Sequence, residues 1–242
     1  MHKSLNGDEQ SPRRIVKQFS NKPSAMEKKI GIIGSGQVGI ALANGLTRHG
    51  YDIMVGTNDP EKYMDIQSKT HSAMRIGSFE ETAKFSDLLI LAVKGAGAEE
   101  AVRRAGIDNL KNKTILDTTN PIEEIAPTNG VLHYFTSLEE SLMERLQKAA
   151  PEANFVKCFS CVGNAFMVDP KFGDTKPSMF ICGNDDDAKT RTRHLLDEIG
   201  WETEDMGKVE AARAIEPLCI LWCIPGMIRG QWMHAFKLLK LY

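Results

Sequence analysis

The sequence has little net charge and no long apolar run, and each shortage excludes a class of protein. Its 30 Lys and Arg residues nearly balance 32 Asp and Glu residues, which gives a formal net charge of -2. Nonspecific binding to nucleic acid needs a clustered excess of positive charge. The longest apolar run, residues 218–224, is far shorter than the roughly 20 residues that span a bilayer. We therefore expect neither a nucleic-acid partner nor an integral membrane segment.

The chain also lacks the features of a secreted disulfide-linked protein. Its five cysteines are odd in number, and no apolar stretch of the signal-peptide kind lies near the N-terminus. Hydrophobic residues make up 42% of the chain, which is enough for a globular core. These features predict a cytoplasmic protein.

Residues 1–25 differ from the rest of the sequence. They contain five Lys or Arg residues and two acidic residues, and show neither helical nor strand periodicity. We interpret them as a disordered basic leader. A transit peptide is the alternative, against which Asp8 and Glu9 count.

From residue 26 onward, short apolar runs alternate with helical periodicity. Strands are predicted at 30–33, 51–56, 73–77, 87–93 and 113–117, and helices at 37–49, 59–68, 79–85 and 96–105. Later elements are a helix at 138–149, strands at 154–158 and 178–182, a helix at 186–199 and a long helical stretch from residue 209. The pattern predicts an α/β protein: a Rossmann-type doubly wound parallel sheet over residues 26–150 and a smaller C-terminal α+β domain over 151–242, for the acceptor site or dimerisation.

A glycine-rich loop follows the first strand and opens the first helix. Its residues are Gly34, Ser35, Gly36, Gln37, Val38 and Gly39. In this context the first glycine permits a tight turn, the second lets a pyrophosphate approach the backbone, and the third lets the helix pack closely on the strand. The helix N-terminus adds free N–H groups and a positive dipole end. The loop therefore predicts a bound dinucleotide.

The end of the second strand predicts which dinucleotide is bound. NAD-binding proteins place a carboxylate there for the ribose 2′-hydroxyl, but this chain has Gly56, followed by Thr57 and Asn58, which can donate to a 2′-phosphate. Lys62 is the nearest downstream cation. Because Asp59 can instead serve a 2′-hydroxyl or cap a turn, NAD stays open, and we favour NADP.

The chain resembles a known family in five segments that occur in the same order. They are KIGIIGSGQVG at 29–39, VGTNDP at 55–60, LAVKG at 91–95, DTTNP at 117–121 and VKCFSCVG at 156–163. The family is that of the 8-hydroxy-5-deazaflavin-dependent NADP reductases, and the same module is similar to the cytosolic domain of the six-transmembrane metalloreductases. The resemblance implies an NADP-binding fold with a small C-terminal domain, and hydride exchange between nicotinamide and a deazaflavin or flavin ring.

Residues after the fourth and fifth strands are further candidates, because ligands of doubly wound sheets lie beyond the carboxyl ends of the strands. Val93 and Lys94 occupy the first position, where the lysine either approaches the cofactor or is a solvated loop residue. Asn120 and Pro121 occupy the second, where the asparagine either holds the nicotinamide carboxamide or ribose or only forms a turn.

Cys158, Ser160 and Cys161 are predicted to line the substrate cavity with small side chains. A dithiol or metal site is the less favoured interpretation of the paired cysteines, because no His cluster accompanies them. No side chain stands out as an obligatory general acid or base. His133 follows the fifth predicted strand, whose end faces the cleft. A lone histidine in such a position is more often structural than catalytic.

The C-terminal stretch combines apolar Trp222, Trp232 and Met233 with the bases Arg229 and Lys237. Four interpretations stay open: a lid over the site, a homodimer interface, a membrane-surface segment, or a helix packed on its own core. Among the first three, the lid and the interface rank above the membrane segment.

Together these features predict an NADP-dependent oxidoreductase that transfers hydride between NADP(H) and a small-molecule ring acceptor. The predicted mechanism is direct transfer, without a covalent intermediate or a metal, since the cofactors carry the chemistry. The alternatives are a non-enzymatic NADP(H) sensor and an imine or carbonyl reductase of the pyrroline-carboxylate reductase type.

Overall fold

Strands from both halves of the chain join in one sheet. The structure is a computed structural model that describes residues 28–70 and 74–241. Its strands are β1 (Lys29–Ile33), β2 (Asp52–Gly56), β3 (Arg75–Gly77), β4 (Leu88–Leu91), β5 (Thr114–Asp117), β6 (Asn154–Lys157), β7 (Ser178–Gly183) and β8 (Glu202–Asp205). Their order is β3-β2-β1-β4-β5-β6-β7-β8, and β6–β7 is the antiparallel pair among otherwise parallel neighbours.

Helices cover both faces of this sheet. They are α1 (Gln37–Arg48), α2 (Tyr63–Lys69), α3 (Phe79–Phe85), α4 (Ala98–Ala105), α5 (Ile107–Leu110), α6 (Leu142–Ala149), α7 (Asp186–Glu198), α8 (Ala212–Ile215) and α9 (Leu218–Arg229). Ile30 and Ile32 of β1 join a buried cluster with Leu42 of α1. Ile33 and Leu89 belong to a second buried cluster, with residues of α4 and α6. Since side chains alternate along a strand, the two clusters lie on opposite faces, and the predicted doubly wound fold is confirmed.

The sheet continues across the predicted domain boundary at residue 150. Strand β6 pairs in parallel with β5, with Thr114 opposite Asn154. Strand β8, which the sequence did not predict, extends the sheet at its edge. Its residues are polar, and only Glu204 is buried, so the strand lacks an apolar pattern. The division into two domains stays a prediction, and the predicted leader, residues 1–25, lies outside the described residues.

The predicted long C-terminal helix is interrupted and ends early. A 3-10 turn (Val209–Ala211) leads into α8, and α9 ends at Arg229, where the cap residue Gly230 has a left-handed φ of +67°. Residues 231–241 have no regular secondary structure. The left-handed glycine cap explains the end of the helix.

One segment of the described chain, Val209–Arg229, is long and apolar enough to cross a membrane by length and composition alone. Its most apolar stretch is 39% buried within the protein. A core helix passes the same test, so this single segment is weak evidence for a membrane span. The absence of an integral membrane segment stays a prediction.

Candidate functional site

The direction in which strands are added to the sheet reverses at β1, and we call the region outside the carboxyl ends of the strands at this reversal the crevice. Strand β1 lies between β2 and β4, and the sheet grows outward from it on both sides. Ligands of such sheets bind outside the carboxyl ends of the strands at this switch point. Since β1, β2, β4, β5 and β6 run parallel, the loops that follow them all emerge at this edge.

The glycine loop after β1 is shaped by close backbone contacts. Gly34 has a φ of +128° and donates its N–H to the carbonyl oxygen of Gly56 at 3.1 Å. A Cβ atom on Gly39 would lie 2.0 Å from the oxygen of Gly34, so only glycine lets α1 approach the loop. A Cβ atom on Gly36, in contrast, would meet nothing within 4 Å. The second glycine therefore faces open space, which a bound group can fill.

The first turn of α1 suits an anion. Its N-cap, Gly36, offers no side-chain hydrogen bond, and no acidic residue lies in the first turn. The first N–H groups of a helix have no partner within the helix, and its positive dipole end attracts negative charge. This helix start is therefore suited to a pyrophosphate, and the cofactor-binding role of residues 34–39 stays a prediction.

The turn after β2 holds the residues predicted to select the dinucleotide. Thr57 is buried, and its Oγ1 accepts a hydrogen bond from the N–H of Asp59 at 3.2 Å. Asp59 in turn accepts from the N–H of Glu61 at 3.1 Å and lies 3.4 Å from Nζ of Lys62. Asn58 is exposed. Asp59 therefore caps the turn, which is one of the two roles that the sequence left open for it.

The loops after β4, β5 and β6 are tied together. Asn120 Nδ2 donates to the carbonyl oxygen of Ser160 at 2.9 Å, and Ser160 Oγ donates to Asn120 Oδ1 at 2.6 Å. A Cβ atom on Gly95 would lie 1.9 Å from the oxygen of Asn120, so the loop after β4 approaches the loop after β5 closely. The Asn120 side chain is therefore engaged with the protein, which gives it a loop-fixing role.

The other candidates of this edge differ in exposure. Val93 is half-buried and Pro121 is buried. The Lys94 side chain is 83% exposed and pairs with Glu124 at 2.6 Å. This exposed pair lowers the pKa of Glu124 through the lysine hydrogen bond, and it matches the solvated-loop interpretation of Lys94.

The cysteines lie in packed regions. Cys158 is fully buried in the main core, whereas Cys161 belongs to a smaller cluster with Cys219, Trp222 and Cys223. Burial raises the pKa of the Cys161 thiol to about 12, so a reactive thiolate is disfavoured. Within 28–70 and 74–241 no group of His, Cys, Asp and Glu side chains suits a metal ion. Both cysteines are thus buried in packed clusters, and the lining of a substrate cavity by Cys158, Ser160 and Cys161 stays a prediction.

Sequence reasoning missed a buried ionic cluster beneath the crevice. Nζ of Lys157 lies 2.6 Å from Asp117 Oδ2 and 2.8 Å from Glu216 Oε1, and it donates to the carbonyl oxygen of Thr119 at 2.9 Å. The lysine and Asp117 side chains are fully buried, and that of Glu216 is 2% exposed. The available signal was a charged residue that directly follows two apolar residues at the end of each of two predicted strands, β5 and β6.

The cluster connects three parts of the fold. Asp117 ends β5, Lys157 ends β6, and Glu216 lies between α8 and α9. Glu216 also accepts the N–H groups of Leu142 and Met143 at 3.0 Å each, which satisfies the first turn of α6. Burial alone would lower the pKa of Lys157, but the two carboxylates outweigh it and raise this pKa to about 12. The lysine is thus held in its charged form.

A second ion pair on α6 makes stability depend on pH. Arg213 contacts the Glu144 carboxylate with two nitrogens, at 2.6 and 2.9 Å, and this interaction lowers the pKa of Glu144 from 4.5 to about 2. Since the folded-state pKa is lowered, the pair's contribution is present above pH 4.5 and is lost as the pH falls toward 2. We expect Arg213→Gln to lower the free energy of unfolding by about 1–2 kcal/mol at neutral pH.

Urea unfolding of wild type and Arg213→Gln at several pH values checks this expectation. The difference between the two proteins should shrink from pH 4.5 toward pH 2. Lys148→Gln is the control, because Lys148 lies on the same helix but pairs with Glu140 at the surface. An equal difference at all pH values would contradict the assignment.

The C-terminal residues pack on the protein's own core. Trp222 Nε1 donates to the carbonyl oxygen of His234 at 3.0 Å, and the rings of these residues stack. Ser178 of β7 donates its N–H to the oxygen of Phe236 at 2.9 Å. Trp222 therefore packs as the core-packing interpretation predicts, whereas Met233 is 79% exposed, so the lid and interface interpretations of this stretch stay open. Outside this stretch, the ring of His133 forms a hydrogen bond with the Thr128 side chain at 2.9 Å, which matches the structural role expected for this histidine.

Comparisons with known proteins agree with this architecture. Residues 29–121 match the model of the family described as NADP oxidoreductase, coenzyme F420-dependent. The metalloreductase STEAP3 of Rattus norvegicus is 26% identical over 83% of this chain and 39% of its own length. The F420-dependent NADP reductase of Methanothermobacter marburgensis is 25% identical over 87% of this chain and 99% of its own length. This chain therefore spans about two-fifths of the length of the metalloreductase.

A solved structure extends the likeness to three dimensions. The protein of Arthrobacter sp. FB24, solved as a candidate F420-dependent NADP reductase, superposes with a TM-score of 0.82 and 27% identity over 88% of this chain and 99% of its own. The matching proteins are oxidoreductases, the enzyme class that the sequence predicted. The predicted resemblance is thus confirmed: this chain is similar to the F420-dependent NADP reductases and to part of the metalloreductases.

Proposed function

We propose that this chain binds NADP(H) in the crevice and exchanges hydride between it and a ring acceptor such as a deazaflavin or flavin. The observation that carries the proposal is the open space at Gly36 beside the uncapped, acid-free N-terminus of α1. The resemblance to NADP reductases supports the choice of cofactor.

The residues of the chain bind and orient in this proposal. The N–H groups that begin α1 hold the pyrophosphate, and the turn 57–59 meets the adenosine ribose. The bonds between Asn120 and Ser160 keep the loops after β5 and β6 in place. When bound, the nicotinamide ring supplies or accepts the hydride. Because ring-to-ring transfer depends chiefly on juxtaposition and exclusion of water, a fixed crevice is the protein's main contribution.

The test is turnover of reduced nicotinamide with a panel of ring acceptors. We expect NADPH oxidation, followed by its absorbance, to be faster by at least about tenfold in kcat/KM with one acceptor class among deazaflavins, flavins and quinones. Gly36→Trp serves as the inactive control. Saturable NADPH binding without turnover of any acceptor would contradict the enzyme and favour the sensor. The cytoplasmic location and the homodimer stay predictions.

A further inference from the structure

We propose that Cys219 and Cys223 of α9 form a redox-active dithiol, which a hydroperoxide oxidises to a disulfide and a small-molecule thiol reduces again. The inference goes beyond the proposed function and does not depend on dinucleotide binding. Disulfides in a reducing compartment are usually transient, and they serve redox sensing or catalysis.

Thiols are concentrated in one small cluster beside α9. Three of its four buried residues are cysteines, namely Cys161, Cys219 and Cys223. The last two are four positions apart on α9, so they lie on the same face of the helix, one turn from each other. Cys223 is 9% exposed, the largest value among the five cysteines. The pair therefore lies at the boundary between core and solvent, within reach of a small oxidant.

A hydrogen bond between the two thiols gives them different roles. The Cys219 thiol donates it to Cys223 Sγ, which lowers the pKa of Cys223 and raises the pKa of Cys219. A lowered pKa favours the thiolate, which is the nucleophilic form. The third thiol, Cys161, has its pKa raised to about 12 by burial. Cys223 is therefore the attacking residue, and Cys219 is the resolving one.

The oxidation takes two steps. The Cys223 thiolate attacks the terminal oxygen of the hydroperoxide, the O–O bond breaks, and the alcohol (water, for hydrogen peroxide) leaves with the thiol proton. Cys219 Sγ then attacks the sulfur of the resulting sulfenic acid, the S–O bond breaks, and hydroxide leaves with the second thiol proton as water. Two thiols are thus oxidised to one disulfide while one hydroperoxide is reduced. Exchange with two equivalents of external thiol reverses the reaction.

The helix can tighten where the disulfide forms. Cβ atoms four residues apart on a helix are about 5–6 Å from each other, whereas a disulfide needs about 3.5–4.5 Å. Pro225 lies inside α9 and has no N–H for the carbonyl oxygen of Leu221, so the helix lacks one hydrogen bond at this turn. Closing the disulfide therefore displaces Trp222, whose Nε1 holds the C-terminal stretch through the carbonyl oxygen of His234.

Peptide mapping of the full chain after treatment with hydrogen peroxide tests the inference. Cleavage after Lys and Arg leaves the proposed pair together in residues 214–229, and the two cysteines of the loop after β6 together in residues 158–171. With free thiols alkylated before cleavage, we expect peptide 214–229 to lose two hydrogens at least about tenfold faster than peptide 158–171. Dithiothreitol should restore it. Tryptophan fluorescence should change at the same rate, because Trp222 lies beside the disulfide.

Single substitutions separate the roles of the thiols. Cys219→Ser keeps a hydroxyl donor next to Cys223, so oxidation should stop at the sulfenic acid, which dimedone traps in peptide 214–229. Cys223→Ser should be trapped at least about tenfold less. Cys161→Ser is the matched control from the same cluster, and it should form the disulfide as wild type does.

Two results would overturn the inference. One is an equal rate of oxidation in the two peptides of the wild-type chain. The other is a disulfide that joins peptide 158–171 to peptide 214–229, because Cys161 would then be a partner. Neither result affects the proposed function, which is measured by NADPH turnover without peroxide.

Discussion

Lys157→Met will lower the free energy of unfolding by about 3–5 kcal/mol, because it leaves buried carboxylates without their counter-charge. In the wild-type protein Nζ of Lys157 lies 2.6 Å from Asp117 and 2.8 Å from Glu216, with almost no exposure to solvent. Methionine has a similar length but no charge and no donor. Urea unfolding followed by circular dichroism measures the loss.

The control is Lys94→Met, which removes an exposed pair instead of a buried one. The Lys94 and Glu124 side chains are 83% and 69% exposed, so we expect a change below about 1 kcal/mol. The double variant Lys157→Met with Asp117→Asn should recover part of the lost stability, because it removes one uncompensated charge. Equal losses in Lys157→Met and Lys94→Met would contradict the role of the buried cluster.

The same cluster predicts behaviour at high pH. The folded-state pKa of Lys157 is raised from 10.5 to about 12 by the two carboxylates. A raised pKa stabilises the fold fully below pH 10.5, and this contribution is lost as the pH rises through about 12. We expect Lys157→Met not to show this loss of stability at high pH, because methionine does not titrate. The cluster also affects the crevice. Lys157 donates a hydrogen bond to the Thr119 carbonyl oxygen, and it thereby holds the loop after β5 in place.

Gly36→Trp will weaken NADPH binding by at least about a hundredfold while leaving thermal unfolding nearly unchanged. A Cβ atom at this position would meet nothing within 4 Å, so a larger side chain starts into open space and we expect the fold to accommodate it. An indole there fills the space that the pyrophosphate needs. Binding is measured by nicotinamide fluorescence and stability by thermal unfolding of the same samples.

Two further variants separate binding from folding. Gly36→Ala adds a single methyl group in the same open space and should weaken binding less than the tryptophan does. Gly39→Ala places a methyl group 2.0 Å from the oxygen of Gly34, so it should lower stability as well as binding. If Gly36→Trp bound NADPH as wild type does, the glycine loop would not be the cofactor site.

The glycine loop was predictable from the sequence because its chemistry is local. Residues 34–39 follow an apolar strand directly and open a helix, so spacing alone indicates the turn, the backbone approach and the helix N-terminus. The strands of the sheet were predictable for the same reason: β4 is a fully buried apolar run, and β5 has two apolar residues, Ile115 and Leu116, at its centre. Strand β8 was not predictable, because it lies at the edge of the sheet and its residues are polar.

The buried cluster and the cysteines depend on distant parts of the chain. Lys157 meets Asp117 and Glu216 only after β6 joins the sheet, and no local spacing indicates these partners. Cys158 and Cys161 are close in sequence, yet Phe159 between them has a left-handed φ of +57°, and the two thiols enter different clusters. A short motif therefore does not determine which core a side chain joins.

Titration of the full chain with NADPH tests the central claim most directly. We expect one saturable site per chain, with a dissociation constant below about 1 mM, that Gly36→Trp abolishes. Saturation that is unchanged in Gly36→Trp, or the absence of saturation in wild type up to millimolar NADPH, would contradict dinucleotide binding at the N-terminus of α1.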